Sequence, residues 1–241
     1  MNIGLCIVTY NRLLYLKQVI RSLEEHNWGG ANIKGIIDDG STQEGYKEYL
    51  QELRQKGYMV LVNDKNSGVA RTKNRALNYM MNTDCEHLFI MEDDILMKNN
   101  KTCIHYIAYG MLKKIKHLNF GKHGEHNNNG MHFYNGVFCY PNIVGAFSYY
   151  HKDTIKKIGY FDENFLNAFE HVEHTYRAGL YGFTTPFWHF SDLPNSTDLL
   201  QEIPNSINNS VIRPRNDWQL NIKNAKEYWI KKYGSWLPER K

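Results

Sequence analysis

From residue 3 to residue 93 the chain alternates between short apolar runs and stretches of helical period, and that rhythm narrows its fold more than any other feature. "IGLCIVTY" (3–10) has the length and composition of a strand. Leu13, Leu16, Val19, Ile20 and Leu23 then recur at helical spacing, with Asn11 as the cap candidate. "IKGIIDDGS" (33–41) repeats the strand and ends in acids and a glycine turn, and Tyr46, Tyr49, Leu50 and Leu53 mark one helical face before Gly57. "YMVLVN" (58–63) and "HLFIMED" (87–93) supply a third and a fourth strand around a helix over 68–81. Such alternation predicts an α/β fold with a mostly parallel, mixed sheet and helices on both faces, whose ligands sit beyond the carboxyl ends of the strands. Asp38, Asp39 and Asp94 then converge on one rim.

Three consecutive carboxylates, Glu92, Asp93 and Asp94, close the fourth strand. Crowding like charges beside a buried strand is costly, so the run predicts a cation or a reaction that uses it. The formal charge of +4, with basic and acidic residues interspersed, permits an anionic ligand without demanding nucleic acid. Cys6, Cys85, Cys103 and Cys139 lack metal-ligand spacing and fall in or beside apolar runs, the pattern of reduced core thiols. The opening "MNIGLCIVTYNR" has no basic leader, and no segment approaches the roughly 20 apolar residues that cross a bilayer, so the expectation is a soluble, cytoplasmic chain.

After residue 93 the rhythm weakens. A longer helix is predicted over 101–117 from Ile104, Ile107, Ala108, Met111, Leu112 and Ile115. "GKHGEHNNNGMH" (121–132) reads as an exposed loop with solvated histidines, and "NSTDLLQEIPNSINNS" (195–210) as a flexible cover over a site. An amphipathic helix within 217–236 carries Tyr228, Trp229 and Tyr233 among lysines and is expected to dock on the domain surface. The predicted organisation is one main domain over 1–190, with a cover segment and helix over 191–241 packed on it.

"IVTYNR" (7–12), "IIDDGST" (36–42), "NSGVARTKNRAL" (66–77) and "MEDDI" (91–95) follow one another in the order of the motifs of family two inverting glycosyltransferases, and the stretch from about residue 3 to 190 resembles that family. The resemblance implies the nucleotide-diphospho-sugar transferase fold called GT-A, a Rossmann-like α/β architecture. It implies transfer of a sugar from a nucleotide diphosphate, UDP for preference, to an acceptor hydroxyl on a glycan, lipid-linked sugar or protein, with inversion. Mn²⁺ or Mg²⁺ would carry the donor diphosphate, since carboxylate oxygens suit such hard cations.

By resemblance, Asp94 ligates the metal, with Glu92 and His189 as further ligand candidates, and Asp93 contacts the ribose or the metal. Thr9, with Tyr10, Asn11 and Arg12 in the same turn, lines the nucleotide pocket; Asp39 hydrogen-bonds the base beside Asp38, and Gly68 and Arg71 approach the pyrophosphate. "FEHVEHTYRAGLYG" (169–182) resembles the segment of the general base but departs from it: the usual Asp falls at His171, flanked by Glu170 and Glu173. Glu170 and His171 are equal candidates for the base, with Glu173 behind them. Plainer roles compete: an Asx-type turn for Asp38, an exposed helix face for Arg71 and Lys73, and a core position for His189. Two other functions compete as well, glycosylation of a hydroxylated base in DNA and a noncatalytic nucleotide-sugar or carbohydrate-binding module. Release of nucleoside diphosphate with Mn²⁺ separates the module from the enzymes.

Overall fold

The computed structural model describes residues 1–123, 130–187, 189–206, 209–211, 214 and 216–237. The first half follows the alternation: β1 (Ile3–Thr9), α1 (Leu13–Glu25), β2 (Ile33–Asp38), α2 (Tyr46–Gln55), β3 (Met59–Val62), α3 (Val69–Met81) and β4 (His87–Glu92). The remainder consists of β5 (Ile95–Met97), α4 (Thr102–Lys113), β6 (His117–Asn119), β7 (His132–Tyr134), β8 (Val137–Tyr140), β9 (Phe147–His151), α5 (Lys152–Ile158), α6 (Glu170–Leu180), β10 (Phe190–Asp192), β11 (Leu200–Glu202) and α7 (Trp218–Tyr233).

The main sheet has the order β3-β2-β1-β4-β9-β6. β3, β2, β1 and β4 run parallel, and β9 is antiparallel to both of its neighbours. In the central strands, alternate residues supply opposite faces. Leu5, Ile7, Ile36, Phe89 and Met91 pack with α1, α2 and α4, whereas Cys6, Val8, Ile37, Leu88 and Ile90 pack with α3 and α5. All four cysteines are buried and free. Register pairs Thr9 with Asp38 and Val8 with Glu92, which brings the ends of the three central strands to one level.

The helix predicted over 101–117 ends at Lys113, because Lys114 adopts a left-handed backbone (φ 57°) and the Ile115 N–H returns to the Gly110 carbonyl. That turn frees His117–Asn119 to pair with β9. In the loop predicted over 121–132, residues 124–129 lie outside the described set; His132 already belongs to β7, and His123, expected in solvent, is fully buried. The C-terminal part is woven into the rest: β10 joins β8 and β7, β11 pairs with β5, and α7 shares a third core with α6 through Val172, Ala225 and Trp229. Among the described residues no helix is long and apolar enough to cross a membrane.

Candidate active site

Beyond the carboxyl ends of β1, β2 and β4 lies a cleft of about 330 Å³. Thr9, Tyr10, Arg12, Asp39 and Glu92–Asp94 line its strand side, and Glu170 and His171, at the start of α6, line the opposite side. Phe169, Trp218 and Ile222 add an apolar wall.

The Asp39 carboxylate accepts from Asn63 Nδ2 (2.7 Å), Ser67 N (2.8 Å), Ser67 Oγ (2.7 Å) and Gly68 N (3.0 Å). It therefore organises the turn that starts α3 as well as facing the cleft. Gly68 itself has φ 93°, and a β-carbon there would come within 2.9 Å of the Leu166 carbonyl, so its need is conformational. Asp38 is buried in its own turn, accepting from the Ser41 amide (3.0 Å) and hydroxyl; burial raises its carboxyl. Asn11 Oδ1 accepts from the amides of Thr42 (2.7 Å) and Gln43 (3.0 Å), tying the end of β1 to the loop after β2.

The acidic run splits three ways. Glu92 Oε1 pairs with Lys73 Nζ at 2.7 Å. Asp93 accepts from Thr9 Oγ1 at 2.7 Å and from Arg12 Nη1 at 3.0 Å; burial pushes its carboxyl up to about 7, with Arg12 opposing and the neighbouring acids adding to the rise. Arg12 Nη1 also reaches Asp94 Oδ2 at 3.1 Å, so one guanidinium bridges both aspartates. Asp94 Oδ1 is buried without a hydrogen bond and faces His123 Nε2 at 3.4 Å, with Glu202 Oε1 3.9 Å from the same nitrogen. Burial acts to raise the Asp94 carboxyl, but His123 and Arg12 outweigh it and hold it below its ordinary value.

On the other side, Lys73 Nζ donates to Glu170 Oε1 (3.1 Å) and to the Gly145 carbonyl (3.2 Å). Burial acts to raise the Glu170 carboxyl, yet Lys73 and His171 hold it well below the usual range. His171 Nδ1 lies 3.2 Å from Glu170 Oε1 and Nε2 lies 3.1 Å from the Ile143 carbonyl. Both ring nitrogens thus face acceptors. Gly145, at φ 79°, makes room for this ring: a β-carbon would stand 2.5 Å from His171 Cγ.

Several predicted residues do not reach the cleft wall. Arg71 pairs with Glu163 (2.9 Å) and is mostly exposed. Glu173 is fully buried, and its Oε1 accepts from Arg177 Nε, Lys232 Nζ and Tyr233 OH, which leaves it a structural knot. His189 packs against the rings of His132 and Phe187 beside the small sheet. Asn11, Asp38 and Gly68 shape the turns behind the cleft. Conversely, Lys73, read with Arg71 as an exposed helix face, is buried, and His123, read as a solvated loop histidine, is buried at the cleft; the sequence assigns neither a site role. Lys73 carried a signal, since it sits in the apolar stripe of Ala70, Leu77 and Met80 on α3; His123, among glycines and polar residues, carried none.

The sequence model described as "Glycosyl transferase family 2" matches residues 5–103. No curated protein matches the sequence significantly. Among solved structures, S. aureus TarS is similar over 97% of this chain and 44% of its own, at 17% identity and a TM-score of 0.60. The mannosyltransferase PcManGT from Pyrobaculum calidifontis, solved with GDP-Man and Mn2+, is similar over 80% of this chain and 54% of its own, at 14% identity and a TM-score of 0.58. GalNAc-T7, solved with UDP, GalNAc and Mn2+, is similar over 84% of this chain and 44% of its own, at 12% identity and a TM-score of 0.60. The chain has the GT-A fold of these structures, and its residues 5–103 are similar to the family 2 model. The family match ends at residue 103, beyond the acidic motif and before Glu170 and His171. The chain spans less than half the length of the full TarS chain.

Proposed function

We propose that this chain moves a sugar from a nucleotide diphosphate, UDP for preference, to an acceptor hydroxyl with inversion. The observation that carries the reading is one cleft with the nucleotide-side residues Thr9 and Asp39 and the acidic pair Asp93–Asp94 on the strand rim, and an ionised Glu170 facing them from α6. The acceptor oxygen attacks the anomeric carbon, the bond to the diphosphate oxygen breaks with its electron pair leaving on the diphosphate, and the hydroxyl proton passes to Glu170. Glu170 is the better-placed base, because both ring nitrogens of His171 are already turned to protein acceptors, Glu170 Oε1 and the Ile143 carbonyl. Glu173 is committed elsewhere.

The residues fit a divalent cation. Among the described residues no three His, Cys, Asp or Glu side chains are grouped to hold a metal alone. Mg²⁺-type sites, however, take one or two carboxylates plus substrate phosphates. Asp94, with its unbonded buried oxygen, and His123 would hold Mn²⁺ or Mg²⁺, with Asp93 beside them; Glu92 is engaged by Lys73 and His189 lies on the small sheet. When bound, the cation supplies positive charge to the departing diphosphate. Arg12 now bridges the same aspartates and would exchange that contact for the donor's phosphates.

Phe169, Trp218 and Ile222 form the acceptor side, where the apolar face of a sugar ring on a glycan, lipid-linked sugar or protein would lie. The four buried thiols support a cytoplasmic setting. The test is a panel of UDP- and GDP-sugars with Mn²⁺, counting released nucleoside diphosphate and reading the product's anomeric configuration by NMR. Release from none of the donors leaves a binding module; a retained configuration rules out direct displacement.

A further inference from the structure

Lys73 is nearly inaccessible, its side chain 2% exposed, on the buried face of α3. An ammonium in that setting is expensive unless each of its three donors is used. Here they are: Glu92 Oε1 at 2.7 Å, Glu170 Oε1 at 3.1 Å and the Gly145 carbonyl at 3.2 Å. The partners come from three separate elements, the end of β4, the start of α6 and the glycine that makes room for His171. A side chain needed only to fill space would be apolar, since burying a charge adds a penalty that packing does not require. The charge therefore serves what it holds.

We propose that Lys73 is a positioning residue that fixes the Glu170 carboxylate for the acceptor's proton and locks it to the acidic rim through Glu92. Lys73 and His171 both bind Glu170 Oε1. With that oxygen pinned, Oε2 is the oxygen presented to the hydroxyl. The same ammonium sets the distance between the donor side and the acceptor side of the cleft, because Glu92 precedes Asp93 and Asp94 directly. This inference rests on Glu170 as the base.

The experiment uses the full chain, the same panel of UDP- and GDP-sugars with Mn²⁺, and the variants Lys73→Met, Lys73→Arg, Glu170→Gln and each Lys73 variant combined with Glu170→Gln. Lys73→Met should lower kcat on the order of 10²-fold, as loss of a well-aimed base does, while donor KM stays within about twofold. Lys73→Arg keeps the charge in a planar fork and should recover part of that loss. In the Glu170→Gln background both substitutions should cause no further loss, because they act through the group already removed. Should Lys73→Met not fold, Lys73→Arg alone and in combination carries the same comparison. Losses that multiply in the combined variants, or a defect confined to donor KM, overturn the inference and leave Lys73 a structural ion. Parental transfer by Glu170→Gln overturns the base assignment and the inference with it. A parent that releases nucleotide from no donor overturns the transferase reading itself, and the inference falls with that reading.

Discussion

Glu92, Asp93 and Asp94 follow one another in the chain, yet no two of their carboxylates have the same set of partners, although Arg12 is shared by the two aspartates. The alternation of β4 sends Glu92 to Lys73, and the turn that follows gives Asp93 to Thr9 and Arg12 and Asp94 to Arg12 and His123. Of these three, and among the described residues, Asp94 alone keeps a buried oxygen without a hydrogen bond. Asp94→Asn should therefore weaken Mn²⁺ binding by about tenfold or more in calorimetry without donor, whereas Glu92→Gln should leave it within about twofold, each tenfold being about 1.4 kcal/mol. Equal losses in both variants would return Glu92 to the ligand set. Arg12 gives an opposite expectation. Its guanidinium stands between the two aspartates, stacked 4.2 Å from the Tyr15 ring centroid, and neutralises the charge a divalent ion would neutralise. Arg12→Met should tighten binding of Mn²⁺ alone by roughly tenfold, because like charges left at close range attract a counter-ion. Unchanged affinity would show that Arg12 and the ion do not share the site.

Two helices divide the work on the far side of the cleft: α6 presents Glu170 and His171, and α7 clamps α6 in place. Lys232 Nζ donates to Asp162 Oδ2 (2.7 Å) and Glu173 Oε1 (2.8 Å), Tyr228 OH to Asp162 Oδ2 (2.9 Å) and Tyr233 OH to Glu173 Oε1 (2.6 Å). Partial burial acts to raise the Asp162 carboxyl, but Lys232, Asn164 and Tyr228 outweigh it and hold it at about 2 against an ordinary 3.8. A carboxyl depressed by folding contributes stability that is present above its unfolded value and is lost as pH falls through its folded value. Docking of α7, followed by the fluorescence of Trp229 and Trp236, should thus loosen between pH 3.8 and about 2 in the parent, while Asp162→Asn should lack that step. An identical acid profile in both would place the clamp elsewhere. None of this clamp was legible in the sequence, although the helix itself was. Short apolar runs and stretches of helical period marked β1 to β4 and α1 to α3 and set Asp38, Asp39 and Asp94 at one rim, because a parallel sheet gathers its strand ends; Asp39 and Asp94 line the cleft, while Asp38 stays in its turn. Periodicity does not say which distant charges meet. Lys73 finds Glu170 across 97 residues, and β6 and β9 are too short to announce their antiparallel pairing.

The molecule as a whole closes its cleft by returning the chain to the acidic motif. β11 pairs with β5 directly after Asp94, the Ile203 amide donates to the Asp94 carbonyl at 2.8 Å, and Arg12 Nη2 donates to the Ser206 carbonyl at 3.2 Å. What holds that return in register is Asp192, fully buried at the end of β10. Its Oδ1 accepts from Tyr106 OH of α4 (2.9 Å) and the Leu193 amide (2.8 Å), and its Oδ2 from the Gly121 amide (2.8 Å) and Ser196 Oγ (2.6 Å). One carboxylate thereby ties the helix behind the sheet, the chain approaching His123 and the turn leading into β11. In Asp192→Asn the amide nitrogen must face a backbone N–H on whichever side it turns, so a buried donor loses its acceptor. The expected cost is about 2–4 kcal/mol, one or two unmet hydrogen bonds in a buried place. The pH dependence has a sign of its own. Burial pushes the Asp192 carboxyl up to about 6 against the pull of its four hydrogen bonds. A group whose folded pKa lies above its unfolded value stabilises most below the unfolded value, and that stabilisation is lost as pH rises through the folded value. Urea unfolding of parent and Asp192→Asn should therefore show the parent's advantage larger near pH 4 than near pH 7, with the loss running from about pH 3.8 up to about pH 6. An advantage that grew with pH would mean that the four donors, rather than burial, decide the charge of Asp192, and that the closure of the cleft is held by an ion at every working pH.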